Sequence, residues 1–252
     1  YSDHRIVLRH KTANLARAIE ELRSEIPYLH EYIVGIDAAS NENAAEPWIL
    51  APAFRMIRTK QNVKPVLQNR YAKTLQYQKI ANIGFTYHVG EDFRHPLSGL
   101  RHVSEVMEQF FYKSGDRLGH AIVLGMDVKR WCSENEVVEL KVREELENYL
   151  WLWGKMMYSG WDAPIQINIL EGRILELAAD IYDIRQCQNL NNLNVSMLYK
   201  AYQLKFDIHH EEILKEYLHA DEKHDAQDEK CHGHAEWSSG TFCKYSKDAC
   251  PL

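Results

Sequence analysis

Two short segments of the sequence each place a histidine at the end of a run predicted to form a β-strand. Residues 82–87 (Asn-Ile-Gly-Phe-Thr-Tyr) are β-prone, and His88, Gly90 and Glu91 follow them closely. A second, shorter run ends at His120. Because the carboxyl ends of parallel strands meet at one edge of a sheet, the pattern predicts one pocket containing His88, Glu91 and His120. A single histidine is more often packed or hydrogen-bonded than a ligand, but this combination favours a metal-binding or acid–base site.

The same residues carry a resemblance to a known family. Residues 88–91 (His-Val-Gly-Glu) resemble the His-Ala-Gly-Glu signature of adenosine deaminases, and residues 117–120 (Arg-Leu-Gly-His) resemble their second signature, Arg-x-Gly-His. Residues 92–100 and 124–127 narrow the resemblance to the large deaminase-like subunit of bacterial RADAR phage-defence systems. The resemblance covers residues 5–131 well and the later helices loosely.

The resemblance implies a role for each residue of the predicted pocket. It implies a zinc-dependent hydrolase that converts adenosine, or a related adenine nucleoside or nucleotide, to an inosine-type product and ammonia. In that reaction His88 is a zinc ligand, Glu91 protonates the purine ring, and His120 orients and deprotonates the attacking water. Elementary chemistry agrees, since neutral imidazole binds zinc well and a carboxylate can pass a proton.

Three further residues are implied in substrate binding: Asp37, Ser40 and Gly90. Residues 37–42 (Asp-Ala-Ala-Ser-Asn-Glu) take the place of the family's Asp-Leu-Ala-Gly-x-Glu turn. Ser40 stands where the family has a glycine whose backbone approaches the purine ring, which leaves adenine or a nucleotide open as the substrate. Asp37 is alternatively a helix cap or an ordinary loop residue.

The elements that must position these residues alternate between strands and helices, which predicts an α/β fold with a parallel sheet. The predicted fold is a partial TIM-type (β/α) barrel of about four parallel strands within residues 1–131. Strands are predicted at residues 6–8, 33–36, 83–87 and 117–119, and helices at residues 14–23, 66–79 and 96–112. Residues 47–64 are predicted to be a loop-like insertion, whose basic residues form a solvated face or contact a phosphate.

The second half of the chain is predicted to be different. Residues 132–219 are a mostly helical region that resembles the insertion of the RADAR-like subunits, and residues 133–136 (Ser-Glu-Asn-Glu) predict a capping box at its start. This region contains an aromatic cluster: Tyr149, Trp151, Trp153 and Trp161. The cluster is predicted to pack between helices rather than to form a binding surface. Residues 220–252 are a polar, Cys/His-containing tail predicted to be disordered, with a structural zinc site as the alternative.

Composition limits the function classes. The 252 residues have a formal net charge of -6, so a nucleic-acid-coating role is not expected. No apolar run approaches the roughly 20 residues that span a bilayer, and no export leader is recognisable, so no membrane association is expected. The five cysteines are an odd number, which fits reduced thiols and a cytoplasmic location better than a disulfide framework.

The family's zinc is also held by a His-x-His pair on the first barrel strand and by an aspartate on the last. Neither is matched here, so the chain is predicted to be an internal fragment with an incomplete zinc-ligand set and to be inactive alone. The expected partners are a purine nucleoside or nucleotide, further copies of the chain and, if it is RADAR-like, an ATPase. The alternative is a catalytically incomplete scaffold or oligomerisation module, although such a module would not need to keep His88, Glu91 and His120.

Overall fold

The computed structural model describes residues 4–39, 41–59, 63–65, 77–79, 82–158, 164–182 and 193–206. They divide into two compact units, one within residues 2–137 and the other within residues 138–252. No helix among these residues is long and apolar enough to cross a membrane. The first unit contains α1 (His4–Glu25), α2 (Leu29–Tyr32), β1 (Gly35–Ala38), α3 (Pro47–Thr59), β2 (Val63–Pro65), β3 (Tyr77–Lys79), β4 (Gly84–Val89), α4 (Pro96–Gln109), β5 (Arg117–His120), a 3₁₀ turn (Ile122–Gly125) and α5 (Val128–Glu134).

A three-stranded parallel sheet lies at the centre of the first unit, in the order β1-β4-β5. Gly35 pairs with Gly84 and Tyr87 pairs with Leu118, so all three strands run in the same direction. This confirms three of the predicted strands, with bounds shifted by one or two residues. The short strands β2 and β3 form a separate antiparallel pair. The described residues thus form a mixed α/β fold with a small parallel sheet and mostly helices.

The predicted first strand is wrong, because residues 6–8 lie within the 22-residue helix α1. The apolar side chains at Leu15, Ile19 and Leu22 have helical spacing, which predicts that they face the core. This prediction is wrong, since Leu15 and Leu22 are exposed. The buried residues of α1 follow spacings of four and three, but they are small or charged: Arg9, Ala13, Ala16, Glu20 and Arg23. Arg9 donates a hydrogen bond to the Trp48 carbonyl at 3.1 Å, and this contact between helices accounts for a buried charge.

The predicted loop at residues 47–64 is also wrong, because α3 occupies Pro47–Thr59. Proline is well tolerated in the first turn of a helix, where the missing N–H has no partner within the helix. Two of the four basic residues predicted to form a solvated face, Arg55 and Arg58, are instead buried. The side chains of the other two, Lys60 and Lys64, lie outside the described residues. In the predicted helix at residues 66–79, Tyr77–Lys79 instead forms β3. Residues 66–76 lie outside the described residues.

Aromatic side chains from α3, β4 and α4 form the core beside the sheet. The Phe54 ring lies 4.8 Å from both Phe85 and Phe110, and Tyr87 lies 5.0 Å from Phe110. Such pairs contribute roughly 0.5–1.5 kcal/mol each beyond the area they bury. The predicted helix after Pro96 is confirmed, but it ends at Gln109 and not near residue 112. The core therefore packs α3 and the residue that follows α4 against β4.

Asp116 connects the beginnings of β4 and β5. Its Oδ1 accepts the Phe85 N–H at 2.9 Å, and its Oδ2 accepts the Lys113 N–H at 2.6 Å and a bond from the Arg58 guanidinium. Arg58 also stacks on the Phe85 ring at 3.8 Å and donates to the Ile83 carbonyl at 2.9 Å. Burial acts to raise the Asp116 pKa, but these hydrogen bonds outweigh it and hold the pKa below its ordinary value.

The second unit is described as three helices: α6 (Val142–Tyr158), α7 (Pro164–Tyr182) and α8 (Val195–Leu204). Among the described residues no strand follows His120. The sequence pattern places an apolar stripe of α7 at Leu170, Ile174, Leu177 and Ile181, and the last three of these are buried. The aromatic cluster is partly confirmed as helix packing, since Trp153 is buried and its ring lies 5.5 Å from Tyr199. The predicted helix at residues 209–218 and the Cys/His tail lie outside the described residues.

The predicted capping box at residues 133–136 is wrong. Ser133 and Glu134 lie inside α5, and the next helix, α6, begins at Val142. Asp127 is the actual N-cap of α5, because its side chain accepts the N–H groups of Lys129 at 3.0 Å and of the following residue at 3.1 Å. The helix predicted to follow the capping box and to run to about Tyr158 is α6, which begins only at Val142.

We expect Gly154→Ala to lower the free energy of unfolding by about 1–3 kcal/mol, because a Cβ at Gly154 would lie 2.3 Å from Cε2 of Tyr199. The matched control is Gly172→Ala in α7, where a Cβ meets nothing within 4 Å. There the usual helix preference for alanine should stabilise the protein by roughly 0.5–1 kcal/mol. Urea denaturation followed by circular dichroism measures both changes. Equal changes in the two variants would contradict the packing of α6 on α8.

We expect Asp116→Asn to destabilise the protein by about 3 kcal/mol at neutral pH, since it removes one partner of a buried ion pair. The lowered pKa of Asp116 stabilises the fold fully above the unfolded-state pKa, near 4, and this stabilisation is lost as pH falls through the folded-state value. The difference between wild type and variant should therefore shrink on acidification. Urea unfolding at pH 7, 5 and 3 tests this, and a difference independent of pH would contradict it.

Candidate active site

The parallel sheet brings the predicted site residues to its carboxyl edge. Asp37 is in β1, His88 is the fifth residue of β4, and His120 is the last residue of β5. In the register of the sheet His88 pairs with Gly119, and His120 pairs with Val89. The two histidines therefore lie on the same edge of neighbouring strands, which confirms the predicted juxtaposition.

Glu91 lies between the two imidazoles. Its Oε1 is 3.6 Å from His88 Nδ1, and its Oε2 is 3.3 Å from His120 Nε2. The two rings are 5.0 Å apart at an angle of 66°. On the other side of the ring, His88 Nε2 lies 3.7 Å from Asp37 Oδ2. The result is a row of alternating carboxylates and imidazoles, Asp37–His88–Glu91–His120, along which protons can be passed or a cation held.

Gly119 makes room for the His88 ring. A Cβ at position 119 would lie 2.7 Å from His88 Cδ2 and 3.1 Å from its Cα. Real Cβ atoms essentially never approach that closely, so a larger residue would displace the imidazole or separate the strands. This gives a steric reason for the glycine that precedes His120 in the second signature.

His120 has a left-handed backbone conformation, with φ at 59°, and Ala121 follows with φ at 48°. Such angles are uncommon for residues other than glycine and cluster at functional sites. The Ala121 N–H donates to the Val89 carbonyl at 3.0 Å, which holds the end of β5 against β4. The strained turn thus presents the half-exposed His120 side chain at the sheet edge.

Gly90 has φ at 79°, and a Cβ there would lie 2.9 Å from Val123 Cγ1. Its N–H donates to Glu42 at 2.7 Å, and its carbonyl accepts the Val123 N–H at 2.9 Å. Both polar backbone groups therefore bond within the protein, and the substrate-binding role of Gly90 stays a prediction. Ser40 lies outside the described residues.

Glu42 was not among the candidate residues, yet it contacts the site's backbone directly. It is buried, and its carboxylate accepts the N–H groups of Gly90 at 2.7 Å, Glu91 at 2.7 Å and Asp92 at 3.4 Å. An isolated acidic residue in a polar turn gives no periodic signal. Its position five residues after Asp37, at the end of a turn that resembles the family's, is the signal that could have identified it.

The donor set fits a divalent cation. His88, Glu91 and His120 offer ligand atoms within 4.8 Å of one another. Imidazole nitrogens and carboxylate oxygens are among the atoms by which proteins bind zinc. His88 faces Glu91 with one ring nitrogen and Asp37 with the other. One nitrogen can therefore bind a metal while a carboxylate orients the ring through the other.

No protein-family model matches the chain, and no curated protein matches it. The resemblance to adenosine deaminases therefore stays a prediction from the residues of the two signatures. Of the residues in that resemblance, Asp37, His88, Glu91 and His120 lie together in the described part of the chain.

We expect Gly119→Ala to displace the His88 imidazole, because the added methyl group would overlap the ring. Two-dimensional ¹H–¹⁵N spectra that detect imidazole nitrogens should show a large shift for His88, with a loss of stability of about 1–3 kcal/mol. Gly125→Ala is the matched control, since a Cβ there meets nothing within 4 Å. An unchanged His88 resonance in Gly119→Ala would contradict the close approach of the two residues.

Proposed function

We propose that this chain is part of a zinc-dependent adenosine deaminase-like hydrolase, whose three parallel strands belong to a (β/α) barrel. Its substrate is adenosine or a related adenine nucleoside or nucleotide, and its products are the inosine-type base and ammonia. The supporting observation is the convergence of His88, Glu91 and His120 within 4.8 Å at the carboxyl edge of the sheet. Catalytic residues of barrel enzymes lie at that edge.

His88 would hold the metal. Its imidazole is partly shielded, and a carboxylate facing one ring nitrogen can orient it while the other nitrogen binds the metal. When bound, zinc supplies a Lewis acid that lowers the pKa of water to about 7. The family's remaining ligands, a His-x-His pair and an aspartate, have no match in the described residues, so His88 is the one ligand that the proposal assigns to this chain.

Glu91 and His120 would move protons on either side of the reacting carbon. His120 is the more exposed of the two, with 49% of its side chain accessible against 24% for Glu91, and it suits the role of orienting water and accepting its proton. Glu91 is more shielded and suits the transfer of a proton to the purine ring nitrogen. As the carbon–nitrogen bond breaks, the amino group takes the proton that His120 accepted and leaves as ammonia. The new hydroxyl gives its proton back to Glu91 and becomes the carbonyl of the product.

The contacts of Arg58 in α3 favour a nucleoside substrate over a nucleotide, because they leave this guanidinium turned away from a phosphate. Arg58, one of the basic residues that left phosphate binding open, donates to Asp116 and to the Ile83 carbonyl. It is therefore committed to the fold and not directed at a ligand. A guanidinium used in this way stabilises strands rather than anions.

The second candidate is a scaffold or oligomerisation module derived from the same fold. Exposed apolar side chains on α1 and in the segment after it favour this reading: Leu15, Leu22, Ile26 and Tyr28. Further copies of the chain, or an ATPase partner, would be the proteins bound there. Under this alternative the His–Glu–His arrangement has no catalytic use, so activity measurements distinguish the two.

In the full-length protein we expect a graded response from three variants. His88→Ala should remove zinc and activity together, since a metal ligand is lost. Glu91→Gln should retain zinc but lower turnover by about 10²–10⁴-fold, because the amide cannot pass a proton. His120→Ala should resemble Glu91→Gln. Metal content and ammonia release, measured side by side on each variant, test the assignment.

The matched control for these variants is His4→Ala, an exposed histidine at the start of α1. It should retain both zinc and activity. Near-normal deamination by Glu91→Gln would show that the role assignment is wrong. Full zinc content in His88→Ala would equally remove His88 from the metal site.

A further inference from the structure

We propose that Glu42 is the positioning residue for Glu91, holding its backbone so that the carboxylate stands between the two imidazoles. This inference rests on the proposed function for its catalytic consequence, but the contact that carries it is independent of the reaction. Glu42 lies between β1 and α3, and its partner turn follows β4, 48 residues away along the chain. Two loops that are distant in sequence are thereby joined directly beneath the site.

The turn at residues 90–92 presents consecutive backbone N–H groups to one carboxylate. Glu42 Oε2 accepts the Gly90 N–H at 2.7 Å, and Oε1 accepts the N–H groups of Glu91 at 2.7 Å and Asp92 at 3.4 Å. The left-handed conformation of Gly90 turns these N–H groups towards the same side. Successive N–H groups in such a turn form an anion-binding concavity, and a protein side chain fills it here.

Asn43 makes a second attachment to the same turn. Its side-chain amide donates to the Asp92 carbonyl. Glu42 and Asn43 are neighbours in one loop, and together they bind N–H groups and a carbonyl of the other loop. The loop carrying them is itself ordered by the bond from the Asn43 N–H to Asn41 Oδ1 at 2.8 Å. The turn that carries Glu91 is consequently held through its N–H groups by Glu42 and through the Asp92 carbonyl by Asn43.

Because Glu42 is buried, it can position Glu91 but cannot take part directly in catalysis. Only 6% of the residue is accessible, and both carboxylate oxygens bond to backbone N–H groups, so it is not available to a substrate or a metal. Burying a charge is costly unless hydrogen bonds compensate it, and charge-assisted bonds are the strong ones. Glutamine would be a poor replacement, because its amide would set one N–H₂ group against backbone donors.

The test compares Glu42→Gln with Glu46→Gln in the full-length protein. Glu46 belongs to the same loop, but its carboxylate accepts from Trp48 Nε1 at 2.9 Å and does not contact the turn. We expect Glu42→Gln to lower kcat for adenosine by roughly 10–100-fold through misplacement of Glu91, with KM within about twofold and full zinc content. Glu46→Gln should match the wild type. A raised KM with unchanged kcat would overturn the positioning role.

Amide hydrogen exchange separates failure of this inference from failure of the proposed function. The Gly90 and Glu91 amides should be protected in the wild type and in Glu46→Gln but exchange at least tenfold faster in Glu42→Gln, whether or not the protein deaminates adenosine. Unchanged protection in a folded Glu42→Gln overturns the inference. Should Glu42→Gln not fold, Glu42→Asp keeps both acceptor oxygens on a shorter side chain. Glu42→Asp should also speed exchange of the Gly90 and Glu91 amides and lower kcat. Wild-type exchange rates and kcat in this variant would overturn the inference.

Discussion

The parallel pairing of β4 with β5, in the register that sets His88 opposite Gly119, is the constraint on which the rest of the site depends. A shift by one residue would send each side chain of β5 to the other face of the sheet. It would also bring a side chain against the His88 ring, which occupies the space left by the missing Cβ at position 119. The distances from Glu91 to both histidines follow from this register.

Two charged contacts hold that register from opposite ends of the strands. At the amino-terminal end, Asp116 accepts the Phe85 N–H and pairs with Arg58 of α3. At the carboxyl end, Glu42 accepts the N–H groups of the turn that carries Glu91. Each is a buried carboxylate that bonds to backbone from a distant part of the chain. A carboxylate suits this task because it can accept several N–H bonds at once.

Four acidic residues around the paired strands differ in how accessible their carboxylates are to solvent. Asp116 and Glu42 have buried side chains that accept backbone N–H bonds, so they stabilise the arrangement of the strands and turns. Asp37 and Glu91 remain accessible and face imidazole nitrogens at 3.3–3.7 Å. Accessibility therefore separates structural from chemical carboxylates here.

The sequence by itself determined the three paired strands, the helices α4, α7 and α8, and the meeting of His88, Glu91 and His120, because these depend on local patterns of apolar residues and strand ends. Only the tertiary structure decided that residues 6–8 and 47–59 are helical, since those helices bury arginines whose partners lie elsewhere in the chain. It also decided the role of Glu42, whose bonds span 48 residues. Contacts at that separation leave no periodic trace in the sequence, whereas the strand ends do.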